Sequence, residues 1–409
     1  MSCFKYIKKK LFIEKSSVIN VIKKNNTPFY LYSQKKIIDN YLNFAKNFNE
    51  IKPLICFATK ANNNLTILKT LAKLGAGADV VSGGELLKAI KAGIKPSKIV
   101  FSGIGKTEKE IKIAIQKKIL LINIESESEA ILINKIAKKL KKKIAVGFRI
   151  NPNIDAKTHK KISTGKAENK FGLSIKNLKI FSKELKTLNH LNLEAISVHI
   201  GSQILSDIPF KKTLDVLTKI IKDLGLRLKY VDLGGGFGIK YTIKDKLINL
   251  KKYSKFVYNF KKKHNCQIIF EPGRSLVGNT AILVSKIQYI KKGQNKNFII
   301  LDAGMNDFMR PALYEATHDI IPIKKNNKKI KRSIEFVGPI CESTCRFIKY
   351  TNYQKISEND FVAITNVGAY GSSLSSNYNA KPLIAEILIN NNKFKIIKKK
   401  QDLLKLINS

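Results

Sequence analysis

A (β/α)8 barrel followed by a mostly β domain is the architecture that this 409-residue sequence predicts. Three observations predict it. Eight short apolar runs lie between residues 53 and 270, each followed by a turn and a Lys-rich amphipathic stretch. The runs are unbroken rather than alternating, as expected of parallel strands buried on both faces. After Arg274 the helical stretches fade, and β-like runs separated by Gly and Asn-Asn-Lys turns take over. Eight strand–helix units favour closure into a barrel over an open doubly wound sheet. The barrel is expected over residues 35–275, with residues 1–34 and 276–409 forming a discontinuous β-barrel or sandwich domain.

The apolar runs in order are Pro53–Thr59, Gly77–Val81, Lys98–Ser102, Leu120–Ile124, Lys143–Ile150, Leu193–Ile200, Tyr230–Leu233 and Gln267–Phe270. Between them, segments such as Leu65–Leu74 and Glu127–Lys141 space Ile, Leu and Ala at helical intervals. In the second domain the β-like runs are Ala281–Ile290, Phe298–Leu301, Ile334–Val337, Phe361–Thr365 and Ala385–Ile389, and Phe29–Tyr32 is expected to join them. The Lys-rich stretches 324–332 and 396–400 read as solvated loop and tail.

Lys and Arg total 76 against 30 acidic residues, a net charge of +46. Only six of the basic residues are arginine (149, 227, 274, 310, 332 and 346), and Lys, Asn and Ile run evenly from end to end. Such evenness reads as a compositional bias toward Lys at any permissive surface position. A nucleic-acid module would instead cluster its basic residues with aromatics, so neither nucleic acid nor a membrane is expected as a partner. Five scattered cysteines do not form a disulfide framework and fit a reducing compartment. No apolar run approaches the ~18 residues of a membrane span, and the N-terminus lacks an uninterrupted apolar segment. A soluble, cytoplasmic protein is expected.

Barrel enzymes carry their chemistry at the C-terminal ends of the strands. The strand ends here hold Lys60, Asp79, Arg149, His199-Ile200-Gly201-Ser202, Asp232-Leu233-Gly234-Gly235-Gly236 and Glu271-Pro272-Gly273-Arg274. Lys60 taken alone is one of 70 lysines, but a lysine directly after a buried strand can be desolvated and act as a Schiff-base amine. Gly234 to Gly236 can point backbone N–H groups at one anion, though a tight turn explains the same motif equally well. It is no dinucleotide fingerprint, because Ile239 stands at the last required glycine, and Val100 likewise rules out a P-loop at Gly103–Thr107. Glu271 could keep a pyridine nitrogen protonated while Arg274 grips an anion, or the two could be an ordinary ion pair. His199 could lie against a ring or be a satisfied core histidine. A Lys, an anion nest, a Glu and a His on one rim together imply pyridoxal 5'-phosphate (PLP). No metal site is expected: Cys341 and Cys345 have no histidine near them in sequence. Cys341 itself reads either as a structural thiol or, beside Glu342 and Pro339, as an acid.

Taken together, these motifs resemble the diaminopimelate decarboxylases, PLP enzymes of the alanine-racemase-like fold (fold type III). The resemblance runs from Thr27-Pro28-Phe29-Tyr30-Leu31-Tyr32 to Asn377-Tyr378-Asn379, with seven or eight motifs in the family's order. It implies a lyase of amino-acid biosynthesis that decarboxylates meso-diaminopimelate to L-lysine. Lys60 would carry the cofactor, His199 would stack on its ring, and Ser202, Gly234, Gly235, Gly236, Gly273 and Tyr370 would hold its phosphate. Glu271 would meet the pyridine nitrogen, with Asp79 and Arg149 in support. Substrate would meet Arg274, Arg310, Tyr314, Glu342 and Tyr370. In this fold Cys341 and Glu342 would complete the site of the partner in a homodimer, Cys341 as the proton donor. Ornithine decarboxylases handle one carboxylate, whereas diaminopimelate carries two, so Arg310 has a task and Glu342 can pair with the distal ammonium. The sequence departs from the family at Cys345, where an Asp is usual, and at Phe57-Ala58-Thr59-Lys60, where Ala-Val-Lys is commoner.

Overall fold

The structure, a computed structural model, describes residues 3–156, 161, 164–165 and 168–408. The chain divides into two compact units, one of residues 40–239 and 246–275, the other of residues 1–39, 240–245 and 276–409.

In the first unit eight parallel strands close on themselves. They are β1 (Leu54–Ala58), β2 (Gly77–Val80), β3 (Ile99–Phe101), β4 (Leu121–Ile124), β5 (Ile144–Asn151), β6 (Leu191–Val198), β7 (Tyr230–Asp232) and β8 (Gln267–Phe270). Each pairs with the next, and β8 returns to β1 through Ile269 opposite Leu54. The barrel is filled low down by Cys56, Val100, Leu121, Ala195, Tyr230 and Ile269, a plug of apolar side chains. Above it the register aligns a polar row: Arg149 in β5 opposite Ser197 in β6, opposite Asp232 in β7. Asp79, Asn123 and Glu271 are buried at the same strand ends. The interior therefore changes from oil to polar groups along its axis, and the polar end is where strand registers deliver Lys60 and Glu271.

The turns that leave the strands are set by helix caps. Ser82, Ser126 and Asn64 each accept a backbone N–H in the first turn of the following helix. Thr107 and Glu110 form a reciprocal capping box. Such caps are each worth about 1 kcal/mol and fix where a strand end stops. On the outside, Phe44, Phe48, Phe210, Phe237, Tyr253 and Phe270 form one aromatic cluster with centroid separations of 4.6–6.2 Å, which clamps three helices to β8.

The second unit is built on a mixed sheet. Its order is Arg346–Tyr350, Ile334–Val337, Asn297–Leu301, Ala281–Lys292, Phe29–Ser33, Ala385–Asn390 and Lys393–Lys398, with Phe361–Ile364 pairing Ala281–Lys292 and Ile320–Pro322 in turn. Phe29, Leu31, Ile282, Val284, Ala363, Ile387 and Ile389 make its core with Leu11 and Ile13. Two expectations need correcting. The stretch 396–400 is not all tail: Lys393–Lys398 is an edge strand whose Phe394 and Ile396 alternate with lysines. Within 324–332, Lys329–Ile330 pairs with Tyr353–Gln354. Edge strands with outward lysines resist pairing with other chains, and this also hides them in a Lys-rich sequence. The N-terminal residues add a three-stranded sheet, Phe4–Ile7, Lys10–Ile13 and Ser16–Ser17, which the sequence reading did not anticipate. Among the described residues no helix is long and apolar enough to cross a membrane.

Candidate active site

Lys60 leaves β1 in a single 3-10 turn, Thr59–Ala61. Its Nζ stands 4.0 Å from Asp79 Oδ2, and its side chain is 38% exposed while that of Asp79 is 1% exposed. A reachable amine is thus held over a buried carboxylate. Burial raises the Asp79 carboxyl pKa, and the charges of Lys60 and Arg149 oppose that rise. Arg149 donates from Nη1 to Glu125 Oε1 at 2.7 Å, and its guanidinium carbon lies 4.8 Å from the Phe171 ring centroid. Glu125 also accepts the N–H groups of Gly103 at 2.7 Å and Gly172 at 3.1 Å, so three donors fix its carboxylate. One further lysine, Lys106, is buried and satisfied by Gly103 O, Asn123 O and Glu129.

Gly235 N–H donates to His199 Nδ1 at 3.2 Å. The bond makes Nδ1 the acceptor and leaves the ring proton on Nε2. Burial, helped by the charges of Lys60 and Arg149, pushes the His199 pKa well below its ordinary value. At neutral pH the imidazole is therefore an uncharged plate. Gly234 N–H donates to Asp232 Oδ1 at 2.9 Å. Two of the three glycine N–H groups are thus engaged inside the barrel, which leaves that of Gly236 for an outside acceptor. The glycines themselves are required by space: a Cβ on Gly235 would lie 2.1 Å from Glu271 O, and Gly236 sits at φ +90° with a Cβ position 2.5 Å from Gly201 O. Ser202 Oγ accepts from Arg274 Nε at 3.3 Å and Nη2 at 2.9 Å, so its own hydrogen can still be donated to an anion.

The electrostatic centre of the barrel end is a carboxyl pair. Asp232 is fully buried and Glu271 is 5% exposed. Asp232 also takes the Ser197 hydroxyl at 3.3 Å. Burial, together with the nearby Asp232 and Asp79, raises the Glu271 pKa well above the ordinary range, and Glu271 shares a hydrogen bond with Asp232. Asp232 is itself pushed up to about 6 by burial. The backbone N–H and the hydroxyl favour charge on Asp232, so Glu271 is the member that keeps the proton. Glu271 Oε1 is buried without a hydrogen-bond partner.

In the second unit Arg310 opens the short helix Arg310–Tyr314 and is 5% exposed, with Tyr314 half-buried at the helix end. Its Nη1 donates to Tyr241 Oη and bonds His318 Nε2, both at 2.8 Å. Cys341 and Glu342 are exposed, and Tyr378 Oη donates to Glu342 Oε1 at 2.6 Å. Tyr370 is half-buried and held at φ +55°, a conformation that costs a bulky residue about 1–3 kcal/mol and therefore marks an enforced loop. Cys345, buried, accepts Met305 N–H on its sulfur at 3.3 Å, so the thiol ties the loop after Gly338 to the segment before Arg310.

Residues 34–278 match the family model described as pyridoxal-dependent decarboxylase, pyridoxal binding domain. The chain belongs to the pyridoxal-dependent decarboxylase family. Its similarity to family members continues beyond that domain. It is 45% identical over 383 residues to a curated diaminopimelate decarboxylase of Helicobacter pylori (strain J99), covering 92% of this chain and 94% of that one. It is 40% identical over 395 residues to the diaminopimelate decarboxylase of Aquifex aeolicus, covering 96% and 93%. Among solved structures it is similar to the diaminopimelate decarboxylase of Helicobacter pylori complexed with L-lysine, at a TM-score of 0.90 with 42% identity over 96% of this chain and 98% of that chain. The diaminopimelate decarboxylase of M. jannaschii in co-complex with L-lysine superimposes at a TM-score of 0.93 with 37% identity over 99% and 96%.

For a pyridoxal-dependent decarboxylase the donors around the barrel end fit the cofactor. The orphaned Glu271 Oε1 suits a ring N–H, the neutral His199 suits an aromatic face, and Ser202 with Gly236 suits a phosphate. Sequence reasoning placed Asp232 at a strand end without giving it a role, and it missed Glu125, Tyr241 and His318. Nothing local distinguishes these residues, because each acts through a partner at least 8 residues away.

Proposed function

We infer that this chain decarboxylates meso-2,6-diaminopimelate to L-lysine and CO2, the last step of lysine biosynthesis by the diaminopimelate route. The observation that carries the reading is that the match to named diaminopimelate decarboxylases runs through both units, at 39–45% identity over more than 90% of the chain. PLP, when bound, takes the substrate amine in Schiff-base linkage and accepts into its pyridine ring the electron pair left as CO2 departs.

The chain's own groups divide the remaining work. Lys60 supplies the amine that holds the cofactor at rest. Glu271, supported by Asp232, holds a proton at the ring nitrogen. His199 covers one ring face as a neutral plate, while Ser202, Gly236, Gly273, Arg274 and Tyr370 hold the phosphate, with Gly234 and Gly235 shaping that loop. Asp79 and Arg149 set the charge beside Lys60. Arg310 takes the distal carboxylate, Tyr314 and Tyr370 line the substrate, and Glu342 pairs with the distal ammonium. Cys341 Sγ–H would give its proton to the carbon that lost CO2, and the Lys60 amine would hold the cofactor again once L-lysine has left. A substrate lacking the distal carboxylate leaves Arg310 unpaired. Offered separately, meso-diaminopimelate is expected to release CO2 with a kcat/KM about 10^3-fold above that of ornithine or arginine. Equal release from ornithine would overturn the assignment.

The exposed positions of Cys341, Glu342 and Tyr378 support a homodimer in which each chain lends Cys341 and Glu342 to its partner's site. Equal amounts of Lys60→Ala and Cys341→Ala protein, each inactive alone, should regain up to about a quarter of wild-type activity when chains exchange. No recovery in a mixture shown to contain mixed dimers would assign Cys341 to its own chain's site. All five cysteines are free thiols, which supports a reducing, cytoplasmic location.

A further inference from the structure

The reading of Arg310 as the carboxylate clamp leaves open what aims it. A guanidinium on a long side chain has several rotamers, and bidentate recognition needs one of them. In the second unit His318 and Tyr241 both bond the Arg310 guanidinium. His318 lies 1% exposed, eight residues past Arg310, where the chain turns back before Ile320–Pro322. Its Nδ1 is 2.8 Å from Thr365 O and its Nε2 is 2.8 Å from Arg310 Nη1. A carbonyl oxygen can only accept, and a guanidinium nitrogen can only donate. The hydrogen of His318 must therefore sit on Nδ1, with the lone pair of Nε2 facing the arginine. That ring is boxed by Tyr241 at 4.9 Å and 70° and by Phe308 at 4.7 Å and 87°. Tyr241 also lies under the guanidinium, 4.8 Å from ring centroid to its carbon, and takes a second Nη1 hydrogen bond.

We propose that His318, as the neutral Nδ1–H form and together with Tyr241, is a positioning residue that orients Arg310 for the carboxylate which diaminopimelate keeps and L-lysine retains. Thr365, just past Phe361–Ile364, anchors His318 to the sheet, so the aim of the clamp is set by the fold rather than by the substrate. The inference rests on the reading that Arg310 binds substrate.

The test uses cofactor-loaded protein and two readouts, steady-state kinetics with meso-diaminopimelate and calorimetric titration with L-lysine. His318→Phe keeps a ring and removes both nitrogen contacts. It should raise KM and the lysine Kd together by about tenfold with kcat within about twofold, the pattern of lost uniform binding. His318→Gln can again present an acceptor to Nη1 and should return both within about threefold of wild type. Tyr241→Phe, which loses only the hydroxyl, should raise both about threefold and serves if His318→Phe does not fold. Equal values for the Phe and Gln variants, or a fall in kcat at unchanged KM, would overturn the positioning role. Arg310→Lys separates the two levels: if it leaves KM and lysine Kd unchanged, the clamp reading itself fails, whatever His318 does.

Discussion

Lys60→Ala protein is expected to fold, to lose the visible absorbance of lysine-linked cofactor, and to turn over at least about 10^4-fold more slowly. The amine is nucleophilic and reachable: its side chain is 38% exposed, while the Asp79 carboxylate beneath it is 1% exposed. Removing the cation also withdraws the largest influence that holds the Asp79 pKa down against burial. Charge and nucleophilicity must therefore be separated. Lys60→Arg keeps a cation near Asp79 but cannot form the linkage, so it should match Lys60→Ala in absorbance and rate while retaining more thermal stability. Borohydride reduction of the wild type followed by peptide mass mapping should place the cofactor on the peptide containing Lys60. Cofactor fixed to any other lysine, or full absorbance in either variant, would remove Lys60 from its role.

The barrel could be read from sequence because a strand buried on both faces has no room for the lysines that crowd this chain elsewhere. The same bias concealed the edge strand Lys393–Lys398, whose outward positions are lysines like any surface. Arginine escaped the bias. Arg149, Arg274 and Arg310 are buried at 5–7% exposure, and these are the three that stood in proposed site motifs. Arg227, Arg332 and Arg346 are exposed. Planar, forked geometry suits a buried cation that must present two aligned donors, as Arg274 does to Ser202, whereas Lys106 is buried as a point charge. Lys60 and Glu271 were legible because each follows directly on an apolar strand. The partners that tune them were not. Asp232 meets Glu271 only through the parallel register of β7 and β8, and Tyr241 meets Arg310 across 69 residues of chain. Sequence positions mark which side chains reach the strand ends, and strand register decides which of them touch.

Glu271→Gln should separate function from stability in opposite directions. In the wild-type protein without cofactor, two buried carboxyls face each other, with Asp232 at about 6 and Glu271 well above its ordinary value. Both folded pKa values exceed their unfolded ones of 3.8 and 4.5. The native state therefore binds more protons than the unfolded state between the two sets of values. The pair's favourable contribution is complete below about pH 4 and is lost as pH rises through the folded pKa values. Glutamine does not titrate, and its amide N–H can donate to Asp232, which then carries its charge at lower cost. The cofactor-free variant should match wild type in thermal unfolding near pH 4.5 and exceed it increasingly toward pH 8, by about 1–3 kcal/mol. The loaded variant should lose about 10^2- to 10^3-fold in kcat, because the amide cannot hold a proton at the ring nitrogen as a carboxylate does. Asp232→Asn gives a check on the same pair, since it too removes one carboxyl and should flatten the same pH range. Parallel stability curves for wild type and Glu271→Gln from pH 4.5 to 8 would mean that the two carboxyls do not share a proton, and a kcat within threefold of wild type would take Glu271 away from the ring nitrogen. Gain in one readout with loss in the other is the outcome expected of a buried acid kept for chemistry at a standing cost to the fold.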